Sequence, residues 1–197
     1  MLKLSFKQQI LTGFAVSLVF VFISAVASYL SFKSLNDSYN WVEHTQEVTK
    51  TAERLEIELL NAETGLRGYV LTEKEYYREP YVKSIDKIMP LVEKLQNLVG
   101  DNSVQEAKID SMAMYAGLKT ADMKQIMTKT GTLGFEAAKQ HILTDKGRIY
   151  KNKLLQFADL MTAEEYRLLG ERRAVMAARS NQTIIIVSLS ALIIFGL

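Results

Sequence analysis

The sequence predicts an all-α protein, an up-down-up-down four-helix bundle whose first and last helices are continuous with transmembrane helices. Three features support this prediction: an apolar run near each end, heptad spacing of apolar residues between the two runs, and a scarcity of helix breakers, since two of the 197 residues are proline. A chain of this length is expected to hold one domain between the apolar runs.

The first apolar run covers residues 10–32, and no charged residue occurs from Gln8 to Phe32. Its core, ILTGFAVSLVFVFISAVASYL, has 21 residues, which as a helix span about 30 Å, the thickness of the hydrocarbon core of a bilayer. A cleaved signal peptide is the alternative, because AVA at 25–27 matches a small-residue cleavage pattern. The length of the run and a helical pattern that continues through Phe32 favour an uncleaved transmembrane helix.

The charges before this run predict the orientation of the chain. Lys3 and Lys7 precede it, so the positive-inside rule places an N-terminal segment, residues 1–9, in the cytoplasm. Residues 33–181 are then predicted to form an extracytoplasmic four-helix domain.

The second apolar run, TIIIVSLSALIIFGL, covers residues 183–197. Its 15 residues would span about 22 Å as a helix, which is short of a full crossing. We interpret residues 182–197 as the truncated start of a second transmembrane helix. In the intact protein, a missing cytoplasmic transmitter domain is expected to follow.

Apolar residues between the runs recur in alternating steps of four and three, the heptad pattern of helices that pack at about 20°. The first helix is predicted to run from the membrane to about Val70, with the stripe Trp41, Thr45, Val48, Ala52, Leu55, Leu59, Ala62, Leu66 and Tyr69. The second carries Tyr81, Ile85, Ile88, Val92, Leu95 and Val99, ends at Gly100, and is expected to bend at Pro80, Pro90 or both.

The remaining helices follow from the same pattern. The third is predicted to carry Ile109, Met112, Ala116, Met123 and Ile126 and to end near Gly131, with Lys119 as a defect on its seam. Gly134 opens a short helix, residues 144–147 form a turn, and the last helix is predicted from about Arg148 through Leu154, Phe157, Met161, Leu168 and Val175. Capping boxes at Thr72–Glu75 and Ser103–Glu106 mark the starts of the second and third helices.

The composition argues against several functional classes. The 24 basic and 22 acidic residues leave no basic field for nucleic acid, and the absence of cysteine removes thiolate chemistry. The only histidines, His44 and His141, lack a second ligand at metal spacing. We therefore expect no catalytic residues, no cofactor and no metal in this region, although the intact protein can carry a kinase or cyclase domain after residue 197.

The stretch NAETGLRGYV at 61–70 is unusual inside a helix. A glycine costs a helix interior about 1 kcal/mol relative to alanine, yet Gly65 and Gly68 both occur here. Glu63 and Arg67 are spaced i,i+4 in the favourable order for an ion pair. We favour a packing function over a ligand site: the glycines allow close approach of another segment, and the charges fix that segment in place. Arg67 is expected to meet residues 73–79 or the turn at 144–150.

With these landmarks placed, the chain resembles the third family of cyclase/histidine-kinase-associated sensory extracellular (CHASE) domains. The matching stretches are WVEHTQEV, AETGLRGYVLT at 62–72, DNSVQ at 101–105 and EYRLLGER at 165–172. The resemblance covers about residues 34–180. The residues of the shared motifs assigned a structural or signalling function are Glu63, Thr64, Gly65, Arg67, Gly68, Tyr69, Glu165 and Arg172. One departure is Glu73, where the family usually has glycine.

The position of Glu165 predicts its surroundings. Rise per residue places Arg67 and Glu165 about 25 Å apart along a simple bundle, so a pair between them is not expected. Glu165 lies close to the predicted seam, and a buried carboxylate needs a partner. The expected partners are Arg172 or polar residues near the middle of the first helix, which are Thr45, Glu47, Thr49 and Lys50.

The resemblance implies the periplasmic or extracellular input domain of a bacterial membrane receptor in the inner (cytoplasmic) membrane. In such receptors, the second membrane helix leads to a histidine kinase, cyclase or chemotaxis module. We expect a homodimer that responds to an unknown small-molecule or protein ligand and passes a helix shift across the membrane, most simply to a sensor histidine kinase. The alternative is a membrane-anchored helical scaffold protein that does not switch.

Overall fold

The computed structural model describes residues 5–100 and 102–196, and within this part of the chain it contains helices and no strand. The prediction of an all-α protein is therefore confirmed. The described helices are α1 (Phe6–Thr72), α2 (Glu75–Ile85), α3 (Ile88–Val99), α4 (Ser103–Leu133), α5 (Phe135–Ile142) and α6 (Lys146–Gly196).

The chain divides into two compact units. We call His44–Arg167 the core unit, and the remaining parts of α1 and α6, up to Glu43 and from Leu168, the terminal unit. Each is described by itself below. The predicted membrane boundaries at 32/33 and 181/182 stay predictions.

The core unit is held together by one hydrophobic cluster with members from all six helices. The heptad stripes predicted these members well. Val48, Leu55 and Leu59 of α1 are fully buried, and so are Met112 of α4 and Leu154 of α6. All six predicted seam residues of α2 and α3 are buried: Tyr81, Ile85, Ile88, Val92, Leu95 and Val99.

The stripe of buried residues predicted for the last helix includes one position that is in fact exposed. Val175 is 53% exposed. Within the core unit, the buried positions of α6 are Leu154, Ala158, Met161 and Glu165, so the seam keeps its three–four spacing but includes an alanine and a carboxylate. Apolarity alone did not identify these two positions.

The predicted second helix, which was expected to bend near its prolines, is instead divided into two helices, α2 and α3. Asp86 caps the end of α2, and Lys87 precedes the first residue of α3. Pro90 falls in the first turn of α3, where a backbone N–H has no intrahelical partner, so its missing donor costs little there. Pro80 lies inside α2.

The predicted capping box at Thr72 and Glu75 is wrong. Thr72 is the last residue of α1, and its hydroxyl donates to the carbonyl oxygen of Gly68. Lys74 is the N-cap of α2 and provides no side-chain cap. Between them Glu73 takes a φ of 55°, the left-handed region in which glycine is favoured. The side chain of Ser103, on which the other capping box rests, lies outside the described part of the chain, as does Asp101 of DNSVQ.

The connections around α5 follow their sequence signals. Gly134 has a φ of 78° and precedes α5, as predicted. In the turn after α5, Asp145 has a φ of 61°, and α6 begins at Lys146, two residues before the predicted start.

The terminal unit contains the apolar parts of α1 and α6. Each of these helices is long and apolar enough to cross a membrane. In the most apolar 18-residue stretch of each, 0% of the residues of α1 and 6% of those of α6 are buried. In the same unit, the Arg172 guanidinium carbon lies 3.4 Å from the centroid of the Trp41 ring, a cation–π contact. Lys3, used to predict the orientation, lies outside the described residues.

Candidate functional site

Glu63 stands at the centre of a buried ion cluster in the core unit. Its Oε1 accepts from Arg67 Nη2 at 2.9 Å and from Lys119 Nζ at 3.2 Å, and its Oε2 accepts from Lys151 Nζ at 2.7 Å. These four residues, the Glu63 cluster, connect α1, α4 and α6. The predicted i,i+4 pair exists, but it belongs to a network of three cations around one carboxylate.

The cluster is buried on one side and open on the other. The side chains of Glu63 and Lys119 are 7% and 4% exposed, whereas that of Arg67 is 61% exposed. Burial raises the pKa of Glu63, but the hydrogen bond from Lys151 and the charges of Lys119, Arg67 and Lys151 lower it below 4.5 overall. Burial lowers the pKa of Lys119 more than the neighbouring Glu63 raises it. The cluster thus favours the ionised form of Glu63, whereas burial disfavours the charged form of Lys119.

Gly65 and Gly68 face α2. A Cβ built on Gly65 would lie 2.6 Å from the backbone nitrogen of Tyr81 and 2.8 Å from the carbonyl oxygen of Tyr77, so α2 could not approach as it does. At Gly68, the added atom would meet the ring of Tyr77. The close approach predicted for these glycines is present, and its partner is the backbone and an aromatic side chain of α2.

The other residues of the motif have lesser contacts. Thr64 is exposed. Tyr69 is half-buried, and the guanidinium carbon of Arg78 lies 6.0 Å from its ring centroid.

Arg67 was predicted to meet residues 73–79 or the turn at 144–150, and two acidic residues of the first segment have other partners. Glu75 pairs with Arg78 and Glu79 with Lys83, whereas Arg67 pairs with Glu63. The other segment, the turn before α6, does approach Arg67, because both line one cavity of about 90 Å³.

We call this space the polar cavity. It is lined by Glu63, Leu66, Arg67, Lys119, Asp122, Ile126, Ile142, Asp145, Gly147 and Arg148. Asp122 Oδ1 lies 2.8 Å from His141 Nε2, and His141 Nδ1 lies 3.0 Å from Lys129 Nζ. A Cβ on Gly147 would collide with Asp122 Oδ2 and would lie 3.2 Å from Lys119 Nζ, so a larger residue there would force these two side chains to shift.

Glu165 is the second buried carboxylate of the core unit, with a side chain 4% exposed. It accepts hydrogen bonds from Thr45 Oγ1 at 3.2 Å and from Gln105 Nε2 at 2.5 Å, and His44 Nε2 lies 3.8 Å away. Thr45 was among its predicted partners. Arg172 was also predicted, but it instead lies over Trp41 in the terminal unit.

Sequence reasoning missed Lys151, Asp122 and Gln105, and it misread Lys119 as a defect. A signal for Lys119 existed, because a charged residue on a predicted seam requires an opposite charge on a neighbouring helix. The same rule, applied to Glu165, correctly predicted Thr45 as one of its hydrogen-bond partners. Gln105 belongs to the shared stretch DNSVQ, but nothing there pointed to Glu165, and Asp122 carried no signal. No group of three or more His, Asp or Glu side chains suited to a metal ion occurs in the described part of the chain.

These features define an all-α domain with buried polar clusters, whose first and last helices each include an apolar segment long enough to cross a membrane. The CHASE3 domain model matches residues 38–175, more than half of the chain, and the chain therefore belongs to the CHASE3 family. CHASE3 domains are extracellular sensory domains of signalling receptors in membranes, and this is the class to which the matched region belongs.

The fold has a solved counterpart. The sensor domain of the histidine kinase HK9 of Rhodopseudomonas palustris, solved by crystallography, is similar to this chain with a TM-score of 0.59 and 21% identity. The similarity covers 64% of this chain and 98% of the HK9 sensor domain. No curated protein matches the sequence.

Proposed function

We propose that this chain is the input region of a bacterial sensor histidine kinase, anchored in the inner membrane by the apolar parts of α1 and α6. The match of the CHASE3 model to residues 38–175 carries the proposal. The similarity to the HK9 sensor domain supports the choice of a kinase as the output module.

The proposed mechanism uses the two long helices. In the core unit, α1 and α6 are joined by the Glu63–Lys151 ion pair and by the hydrogen bond from Thr45 to Glu165. A stimulus that rearranges these contacts would displace α6 against α1 in an up-down-up-down bundle. Shifts of about 1–2 Å are typical of helices at interfaces, and a homodimer would provide the neighbour against which the shift is read.

A kinase fusion tests the mechanism. Residues 1–181 are joined to the second transmembrane helix and cytoplasmic module of a well-studied sensor kinase, and autophosphorylation is measured in isolated membranes. We expect Glu63→Gln, and the milder Glu165→Gln on the other contact between α1 and α6, each to change the rate about fivefold or more, the scale of an allosteric coupling. Lys83→Gln, which removes an exposed pair with Glu79, is the control and should leave the rate unchanged. Unchanged rates in every folded core variant would favour a scaffold without switching.

The membrane topology is tested separately. The chain lacks cysteine, so a single introduced thiol reports one position. Ser111→Cys should react with an impermeant maleimide in intact spheroplasts, whereas Ser5→Cys should not. The reverse labelling would contradict the orientation.

A further inference from the structure

We propose that the polar cavity binds a small zwitterion, an α-amino acid with a short side chain. This inference rests on the proposed function, since it names the class of ligand that the input region would detect. All residues that line the cavity belong to the core unit.

The cavity has a buried charged floor and an exposed charged rim. The side chains of Glu63, Lys119 and Asp122 are 7%, 4% and 5% exposed. Those of Arg148 and Asp145 at the rim are 62% and 58% exposed. Ionised groups are costly to bury, and their concentration at the bottom of an accessible cavity is typical of a binding site.

Two groups of the floor have hydrogen-bonding capacity that the described residues do not use. Lys119 has three ammonium hydrogens and one protein acceptor, Glu63 Oε1 at 3.2 Å. Asp122 accepts at Oδ1 from His141, while its Oδ2 has no hydrogen bond to any described residue. A donor and an acceptor are therefore both available on the same floor.

The charge of the lining selects a ligand that carries both signs. Three cationic residues and three anionic residues line the cavity. A simple carboxylate could bind Lys119 and Arg67 but would be repelled by Glu63, Asp122 and Asp145. A simple amine could bind Asp122 but would be repelled by the cations. An amino acid places its carboxylate toward Lys119 and Arg67 and its ammonium toward Asp122.

The size of the cavity limits the side chain of the ligand. Its volume of about 90 Å³ holds several water molecules, since one water needs roughly 10–15 Å³ of such space. Leu66, Ile126 and Ile142 form the apolar part of the wall. Glycine or alanine would fit there, and phenylalanine would not.

Calorimetric titration of the full chain in lipid nanodiscs tests the inference. The probes are glycine, L-alanine, acetate, methylamine and L-phenylalanine. We expect glycine or L-alanine to bind at least about tenfold more tightly than acetate and methylamine, with no binding of L-phenylalanine. Absence of binding by both small amino acids, or acetate binding as tightly as glycine, would overturn the inference.

Variants of the rim locate the site. Arg67→Gln should weaken binding about tenfold and should fold, because the Arg67 side chain is 61% exposed. Lys83→Gln is the matched control, since its side chain is 68% exposed, also forms an i,i+4 pair and does not line the cavity. Ile142→Phe should block binding, because a larger side chain in the apolar wall takes up part of the cavity. Unchanged affinity in both Arg67→Gln and Ile142→Phe would place the ligand elsewhere and overturn the inference.

The outcomes separate this inference from the proposed function. If neither amino acid binds but the kinase fusion responds to Glu165→Gln, the ligand class is wrong and the signalling proposal stands. If glycine binds and no fusion variant changes the kinase rate, the binding site stands and the signalling proposal is wrong.

Discussion

Glu63 and Glu165 are both buried in the core unit, yet their carboxylates are stabilised in different ways. Glu63 contacts three basic side chains, whereas Glu165 accepts hydrogen bonds from a hydroxyl and an amide, with His44 at 3.8 Å. All three partners of Glu63 carry a positive charge. The hydroxyl and amide donors of Glu165 are neutral, and they satisfy the carboxylate without burying a lysine or arginine beside it.

This difference determines what a substitution leaves behind. Removing the charge of Glu63 leaves Lys119 as a buried ammonium without its counter-ion, which is more costly than the loss of the pair itself. Removing the charge of Glu165 leaves no buried lysine or arginine without a partner, so the expected cost is that of weaker hydrogen bonds.

The largest expected effect follows from Glu63→Gln. It should lower the free energy of unfolding by about 3–5 kcal/mol, the typical cost of removing one partner of a buried ion pair. Urea unfolding of the detergent-solubilised chain, followed by circular dichroism, measures it. A loss below about 1 kcal/mol would mean that Lys119 finds other partners and that the two carboxylates are equivalent.

Acid should remove the same contribution. The pKa of Glu63 is lowered from 4.5 on folding, so the stability from its ionised form is present above that value. It is lost as the pH falls through the lower pKa of the folded state. We expect Glu63→Gln to lose less stability than the wild type between pH 5 and the acid limit of folding, as measured by urea unfolding at each pH. Parallel losses would contradict the assignment.

A third substitution separates packing from charge on the Glu63 side. Gly65→Ala should destabilise the chain by about 1–3 kcal/mol, because its Cβ would meet the backbone of α2 at 2.6 and 2.8 Å. Gly117→Ala is the matched control: it is also helical, and a Cβ there meets no heavy atom within 4 Å. The control should gain about 0.5–1 kcal/mol of stability by urea unfolding. Equal effects of the two changes would rule out the packing function.

Glu165→Gln should cost about 1 kcal/mol in the same assay, since the amide keeps an acceptor and loses the charge. A cost equal to that of Glu63→Gln would show that His44 is a full charge partner and would remove the distinction between the two sites.

The smallest expected effect is that of Arg67→Ala. Its side chain is 61% exposed, and solvent screens its pair with Glu63, so the loss should be about 0.2–1 kcal/mol. Urea unfolding in low and high salt tests this, with the difference from wild type shrinking as salt rises. A larger loss that salt does not change would mean that Arg67 belongs to the buried part of the cluster.

The sequence predicted the helices and much of the core because both depend on local periodicity. The stripe from Val48 to Leu66 could be found without any knowledge of its neighbours. The Glu63 cluster could not, because Lys119 and Lys151 lie 56 and 88 residues away and their pairing depends on the register between helices. A pattern within one helix indicates which residues are buried but not which residues they contact.

The turns show a related limit. Gly134 could be predicted because glycine is a known signal for left-handed backbone, and its φ is 78°. Glu73 and Asp145 adopt the same conformation without that signal. At position 73 the one indication was the resemblance to a family with glycine there, and at Asp145 it was the turn predicted for residues 144–147.

Trp41 is the only tryptophan in the chain, and the Arg172 guanidinium lies over its ring. Indole emission is sensitive to a cation above the ring, so the protein has an intrinsic fluorophore at the contact between α1 and α6 in the terminal unit. A movement that withdraws Arg172 should change the intensity and wavelength of that emission. Unlabelled protein in a stopped-flow fluorimeter would then report the timing of helix displacement directly.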